Sequence, residues 1–512
     1  MTKKDFSCKD RVKHVPEVIY DAEKGYEELY RKAWELVDAH VMDIEGMPHS
    51  PYMDEAFCRT QIWIWDTCFM SLFCKYAPDY FPGVESLHNF YDVMYGEKSL
   101  PEVFVPEDEP SWTLNTPGTM GRIKIHIADN PPLFAWSEYE NFLFTGDKEH
   151  IETLLYKEQY LQKHYFWLEN LKETFTAPWL RIPTKWCNCS IGYSWEGGCS
   201  GMDNSPRGRL DVPCKGFRPG TPDNLWLDAL AQQALSAECI GRLFGALGDE
   251  QEEKKWEALS SEKKRLLREL YWDKEDGIFY DLSLSRKTFN KVPTIASYWP
   301  LTVGAATEEQ AERMTEKLFD PEYFGGEYPF TSLARKDPDF VPEGGNYCRG
   351  TVWAPTAYAT VRGLVRYGKY KEAMLASRKL LAHVYGTYRN FTPHTIWESY
   401  SPGGMEPARQ LDNETLVRKD FCGWSALFPI SILIENVIGI HTVDAVRNRV
   451  AWFLDTTLPG KTGVKNLRFG ETTASFIHEN SNVTVETDHP FTLEINGKEY
   501  SISSGKNQIF LN

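Results

Sequence analysis

Apolar residues recur at three- and four-residue spacing in about a dozen separate segments, so this chain must bury many helical faces at once. The spacing predicts helices over 22–40, 62–76, 81–95, 131–145, 148–171, 223–246, 250–272, 292–303, 308–319, 350–367, 369–387 and 421–438. Start signals stand before three of them: Asp147, Thr221-Pro222-Asp223 and Asp249. Short links, Phe144-Thr145-Gly146-Asp147 and Leu247-Gly248-Asp249, alternate with long ones over roughly 97–130, 172–222, 320–349 and 388–420. Paired helices joined in this way predict a closed ring of helical hairpins. The long links are rich in Gly, Pro, Trp and Asn and should gather at one end of the ring, where a site is expected.

From about Thr442 the period changes to two. Val483-Thr484-Val485-Glu486-Thr487 and Phe491-Thr492-Leu493-Glu494-Ile495 alternate, the hairpin pair Asn496-Gly497 follows, and Tyr500-Ser501-Ile502 returns. The expected organisation is therefore mainly α. A helical barrel with a short N-terminal extension spans 1–440, and a small β-sandwich-like unit spans 441–512.

Charge and composition exclude several classes. The net charge is −17, from 73 acidic and 56 basic residues, and no Lys/Arg stripe offers a footprint for nucleic acid. Lys254-Lys255 and Lys263-Lys264-Arg265 are flanked by Glu and read as solvated helix faces. Phe421 to Ile440, the most apolar stretch, is interrupted by Glu435 and Asn436, which marks a buried helix and not a membrane span. Residues 1–10 hold no apolar signal segment, so a cytoplasmic protein is expected. Cys68, Cys74, Cys239 and Cys422 sit in aromatic helical runs and are expected to be buried and reduced. Cys187-x-Cys189, with Cys199 and Cys214 beyond, lacks the repeat or His partner of a zinc site. Neither a Walker loop, a dinucleotide fingerprint nor an EF-hand pattern occurs, so no cofactor is expected.

Five segments could carry chemistry. In Ser200-Gly201-Met202-Asp203-Asn204-Ser205-Pro206-Arg207 an acid stands in a turn between a permissive Gly and a stiff Pro. The plainer reading is an Asx-turn. In Trp397-Glu398-Ser399-Tyr400 a carboxylate lies between two aromatics. In Trp63-Ile64-Trp65-Asp66 an acid opens a helix, as a cap or as a ligand for hydroxyls. Tyr347-Cys348-Arg349-Gly350-Thr351-Val352-Trp353 leads into a helix through Pro355, and Phe421-Cys422-Gly423-Trp424 begins another.

Taken in order over roughly residues 50–440, these segments resemble glycoside hydrolase family 63 and its relative, the trehalase family. The family pattern runs W-D, S-G-x-D-(N/D)-S/Y-P-R, Y-W-R-G-x-V/I-W, W-E-x-Y/F and F-x-G-W. Two departures stand out. Cys348 occupies a position where the family usually has Trp, and helical periodicity begins near residue 20, where many members carry a large β domain. The resemblance implies an (α/α)6 toroid barrel and an inverting exo-acting glycosidase. Asp203 would be the general acid and Glu398 the general base, with about 6.5–9.5 Å between them to admit a water.

The resemblance further implies that Asp66 binds sugar hydroxyls, and that Trp65, Trp353, Trp397 and Trp424 are stacking walls. Tyr347 and Arg349 would line the pocket or brace its loop. Arg207 is expected to bind substrate or another carboxylate, because contact with Asp203 would oppose the raised pKa that a general acid needs. The 17 Trp, 26 Tyr and 28 Phe suit such a pocket. The expected substrate is an α-linked glucoside or a small related glycoside. A helical-toroid lyase is the competing class, but it needs a basic cleft for its polyanion, and the acidic balance argues against it. A non-catalytic sugar-binding protein is the third reading, and a phosphorylase would leave the second carboxylate superfluous.

Overall fold

Helix ends in this chain are set by side chains that satisfy exposed backbone donors. Before the helix Glu308–Phe319, Thr307 accepts from the Gln310 N–H at 3.2 Å, and the Gln310 side chain accepts from the Thr307 N–H at 2.8 Å. Asp147 caps Lys148–Glu152 and Asp249 caps Glu250–Leu270, as their positions predict. The two short links turn through Gly146 (φ 64°) and Gly248 (φ 87°), both in the left-handed region that favours glycine.

The computed structural model describes residues 4–43, 47–56, 61–95, 113–114, 131–170, 176–177, 182–183, 187–194, 200–207, 224–283 and 287–511. The start signal Thr221-Pro222-Asp223, together with Cys199 and Cys214, lies outside them, as does most of the predicted loops 97–130 and 172–222.

Burial sorts the described helices into two rings. Leu227–Ala246 is buried nearly throughout, whereas its partner Glu250–Leu270 buries only the stripe Trp256, Ser260, Lys263, Leu266 and Leu267. The same contrast repeats along the chain. The inner ring is Ile64–Cys74, Phe134–Thr145, Leu227–Ala246, the pair Ile295–Tyr298 and Trp299–Thr302, Ala354–Arg366, and Ser425–Leu427 continuing into Phe428–Ile438. Each packs on the next, and the last packs on the first, so the ring closes. Gly25–Ala39, Gly83–Tyr95, the run from Lys148 to Asn170, Glu250–Leu270, Glu308–Phe319 and Tyr370–Asn390 form the outer layer. This is an (α/α)6 barrel.

Three predicted helices are less regular than their spacing implied. The 148–171 segment is interrupted by a wide turn, Thr153–Glu158, that ends at Gln159 with φ 56°. The 292–303 segment is two short pieces, because Pro300 has no N–H with which to continue the hydrogen-bond ladder of the first. Phe428–Ile438 is wound with i→i+5 hydrogen bonds and stops at Gly439.

The strands after residue 440 form two facing sheets. One, of order Ile440–Asp444, Arg449–Trp452, Phe491–Ile495 and Lys498–Ile502, contains a single parallel pairing, between its middle strands. Asn496 and Gly497, both at positive φ, make the predicted hairpin turn between Ile495 and Lys498. The other sheet is antiparallel and has at its edge Glu17–Tyr20, paired with Lys461–Phe469. Phe476 and Phe469 of this sheet meet Phe491 of the first, with ring centroids 5.7 and 5.5 Å apart. Backbone hydrogen bonds from Ala445 to Leu143 and from Gly470 to Phe144 dock the sheets on the barrel. Cys68, Cys74, Cys239, Cys348 and Cys422 are buried, unpaired thiols. None of the described helices is long and apolar enough to cross a membrane.

Candidate active site

All five singled-out segments lie before, or in the first turn of, an inner helix, so ring closure carries them to the same end of the barrel. Trp65 and Asp66 occupy the first turn of Ile64–Cys74. Residues 200–207 precede Leu227–Ala246, residues 344–353 run into Ala354–Arg366, and Trp397, Glu398 and Phe421–Trp424 precede the final helix. Short sequence motifs hundreds of residues apart thus become neighbours.

Asp203 sits at the corner of a tight turn. The Ser205 N–H donates to the Met202 carbonyl at 3.0 Å, and the Met202 N–H donates to the Ser200 hydroxyl. Gly201 is required twice over. Its φ is 74°, and a Cβ there would lie 2.9 Å from the Trp65 ring. Asn204 fastens the turn to the neighbouring loop. Its amide donates to the Asn346 carbonyl (2.9 Å), its side-chain oxygen accepts from the Cys348 N–H (2.7 Å), and its carbonyl accepts from Arg349 (3.4 Å). Arg349 therefore braces the loop.

Glu398 is buried and accepts from four donors. Arg418 Nη1 lies 2.8 Å from Oε1 and the Arg418 N–H 3.0 Å from Oε2, while the Tyr347 hydroxyl and the Gln410 amide each donate at 3.3 Å. Its backbone is pinned as well: the carbonyl accepts from Trp424 Nε1 at 2.8 Å and from Ser425 Oγ at 3.0 Å. Groups holding both carboxylate oxygens and the backbone leave little rotational freedom.

The two acids act on the same surroundings. Burial pushes the Asp66 carboxyl well above its ordinary range, the charges of Glu398 and Asp203 push the same way, and its own N–H and Arg418 oppose them. The Tyr347 hydroxyl is raised by burial and then by Glu398 and Asp203. Burial also raises the Cys348 thiol, with Asp203 next in importance and Glu398 contributing. Cys348, in place of the family's Trp, is thus an inert packing residue against the Asp203 turn.

Arg207 corrects one expectation and meets its alternative. Its guanidinium does not face the mouth. It donates to both oxygens of Asp228 (2.6 and 2.7 Å) and of Asp281 (2.7 and 2.8 Å), and it stacks on Trp226 at 4.3 Å. It anchors the Asp203 turn to the barrel and leaves Asp203 to its own environment. The tryptophans also divide. Trp353 packs between Tyr347 and Trp424, with centroids at 4.7 and 5.6 Å, and Trp65 packs on Phe69. These three keep 7–9% of their surface, whereas Trp397 keeps 3% and turns its ring against Phe391. Trp397 is the most buried of the four.

Sequence reasoning missed Arg418 and Gln410, which stand in no motif, and gave no role to Asn346, which directly precedes Tyr347. Asn204 lay inside one, as the second of two adjacent turn-forming polar residues, and it is the one that fastens the loop.

A closed double ring of helices with its motif-bearing loops gathered at one end is the architecture of the (α/α)6-barrel glycoside hydrolases. Residues 61–412 match the model of the mannosylglycerate hydrolase MGH1-like glycoside hydrolase domain, within glycoside hydrolase family 63, and the chain belongs to that family. It is 28% identical over 333 residues to a protein of Borreliella burgdorferi, a match covering 64% of this chain and 62% of that one. It is similar in fold to the mannosylglycerate hydrolase of Thermus thermophilus in complex with Tris and D-glycerate, with a TM-score of 0.56 and 17% identity, over 79% of this chain and 99% of the other. It is also similar to the neutral trehalase of Saccharomyces cerevisiae, with a TM-score of 0.50 and 13% identity, over 75% of this chain and 74% of the other. The chain thus spans about three fifths of the Borreliella relative.

Proposed function

We propose that the protein hydrolyses a small α-linked glycoside with inversion at the anomeric carbon, Asp203 acting as general acid and Glu398 as general base. The supporting observation is that Asp66, Tyr347 and Cys348 each lie within the electrostatic reach of both carboxylates. Hydrogen bonds make the same link, since Tyr347 donates to Glu398 and the next residue, Cys348, donates to Asn204 beside Asp203; both acids thus border one loop, which suits a bond cleaved between an acid and a base.

In this reading Asp203 gives its proton to the glycosidic oxygen as the bond breaks. Glu398 takes a proton from a water that attacks the opposite face of the sugar. The four donors on Glu398 fix its direction, and Arg418 holds a positive charge beside the base. Asp66, with its proton held tightly, can both donate to and accept from sugar hydroxyls. Trp65, Trp353 and Trp424 supply apolar faces for the ring. The folds that this barrel is similar to include a mannosylglycerate hydrolase and a trehalase. This favours a disaccharide or a glycosylated small acid over a polymer.

Proton NMR of the purified enzyme with α-linked glucosides and mannosides, among them trehalose and mannosylglycerate, tests this reading. The newborn sugar should be the β-anomer. Appearance of the α-anomer first would remove Glu398 from the role of water-activating base, and unsaturated products absorbing in the ultraviolet would identify a lyase.

A further inference from the structure

Away from the mouth, three helices bring two histidines and a glutamate together. His88 lies on Gly83–Tyr95, Glu138 on Phe134–Thr145 and His150 on Lys148–Glu152. One donor atom from each falls within a sphere where all are within 4.8 Å of one another. We propose that His88, Glu138 and His150 form a binding site for a zinc-like transition-metal dication.

The donor set fits that class. Two imidazoles and one carboxylate are ligands that a borderline ion such as zinc takes at about 2.0–2.1 Å, whereas magnesium and calcium prefer oxygen throughout. Tetrahedral neighbours at that radius stand about 3.3 Å apart, so a modest closure of side chains completes the set. His150 Nε2 and Glu138 Oε2 are already 2.8 Å apart. The His88 and His150 ring centroids are separated by 5.3 Å.

Support around the ligands is of the kind that metal sites use. The Tyr91 hydroxyl donates to Glu138 Oε1 at 2.9 Å, which fixes the carboxylate and leaves Oε2 directed at His150. On the other side of His88 stands His49, its ring 5.3 Å away, with its Nε2 held by Asp92 at 2.6 Å. Asp92 is held in turn by the Tyr160 hydroxyl at 2.7 Å. Glu138 and His150 also line a cavity of about 810 Å³ between barrel and sheets, which gives an ion a route in and leaves room for a water or an anion as a further ligand. Those sheets contribute Arg468 and His489 to the cavity wall. All three ligands come from helices of the barrel framework, and none belongs to the cluster around Asp203 and Glu398.

Tag-free full-length protein, stripped by chelator and dialysed, is titrated with zinc chloride and with magnesium chloride by calorimetry. Saturable binding of about one zinc ion per chain and no response to magnesium are expected. His88→Ala and His88→Gln should each weaken zinc binding at least about tenfold, and His394→Ala, at an exposed histidine elsewhere, should leave it unchanged. Unfolding curves without metal establish that the variants fold. A cobalt(II) spectrum of the wild-type protein gives a readout independent of any variant. Intense visible bands of a four-coordinate ion are expected. The pale spectrum of hydrated cobalt, an absence of saturable zinc binding, or wild-type affinity in both His88 variants would each overturn the site.

Discussion

Two of the barrel's buried clusters of charge, one at its mouth and one deep among the inner helices, treat a carboxyl in opposite ways. In the deep cluster, Glu140 and Glu435 meet Lys75 and Arg362. Lys75 Nζ is 3.3 Å from Glu140 and 3.0 Å from Glu435, and Arg362 reaches the same two acids at 3.4 and 3.3 Å. Tyr76 and Tyr358 donate to Glu435 as well. Burial alone would raise Glu140, yet Arg362 and Lys75 hold its carboxyl below the ordinary range. At the mouth, burial raises Asp66, and the charges nearby include two further acids. Equal burial gives opposite results because one cluster is balanced and the other is not. Balanced charge ties four inner helices together. Unbalanced charge keeps a proton available, which acid–base chemistry requires.

Substitutions at the mouth should break chemistry and spare the fold. Asp203→Asn and Glu398→Gln should each reduce kcat by about 10²–10⁴, with unfolding curves close to wild type. Retention of near-wild-type kcat in either variant would strike that residue from its role. Substitutions in the deep cluster should do the reverse. Glu435→Gln leaves Lys75 and Arg362 facing one carboxylate instead of two, and removing one partner of a buried pair costs about 3–5 kcal/mol. Urea unfolding should register that loss, while kcat of the folded fraction stays within about twofold of wild type. A kcat loss as deep as that of Asp203→Asn would erase the distinction between the two clusters.

The same contrast explains what was legible in the residues. Helices were visible because their periodicity, caps and glycine turns are local: Asp147, Asp249 and Gly146 act within three or four residues. The mouth was partly visible because each of its segments packs several uncommon residues into a short loop. Lys75, Glu140, Arg362 and Glu435 left no such trace. Each is a lone charge beside or within an apolar helix, and its partners arrive only when the ring closes. The triad His88, Glu138 and His150 is invisible for the same reason, since its spacing matches no metal motif. Arg207 was half legible: the acid's need for a raised pKa pointed it to substrate or another carboxylate, but its partners Asp228 and Asp281 stand in no motif. Glu17–Tyr20 was too short to show an alternation, and its pairing with Lys461–Phe469 is wholly non-local.

Arg418 sharpens the comparison, because it is the cation in contact with Glu398. It contacts Glu398 with both its side chain and its backbone. Arg418→Met keeps the backbone contact and removes the guanidinium, so Glu398 loses a bond that sets its direction. A misplacement on the scale of 1 Å costs about 10² in rate, and kcat should fall by about that factor with KM less affected. A rise in KM alone would make Arg418 a substrate-binding residue.

Asp66 offers the smallest effect and the most direct test of imbalance. Its carboxyl holds a proton more tightly in the folded chain than in the unfolded one. The stabilisation from that proton is complete at pH below the ordinary value of 3.8 and is lost as pH rises through the raised value. Asn carries no such dependence. Asp66→Asn should therefore match the wild type in Tm near pH 4 and exceed it at pH 8, by a shift on the order of 2 °C. Substrate turnover should fall in the same variant, because the amide fixes its donor and acceptor atoms whereas a carboxyl can carry its proton on either oxygen. Parallel Tm curves across that range would mean that the two acids beside Asp66 do not burden it, and the mouth would then be no less balanced than the deep cluster.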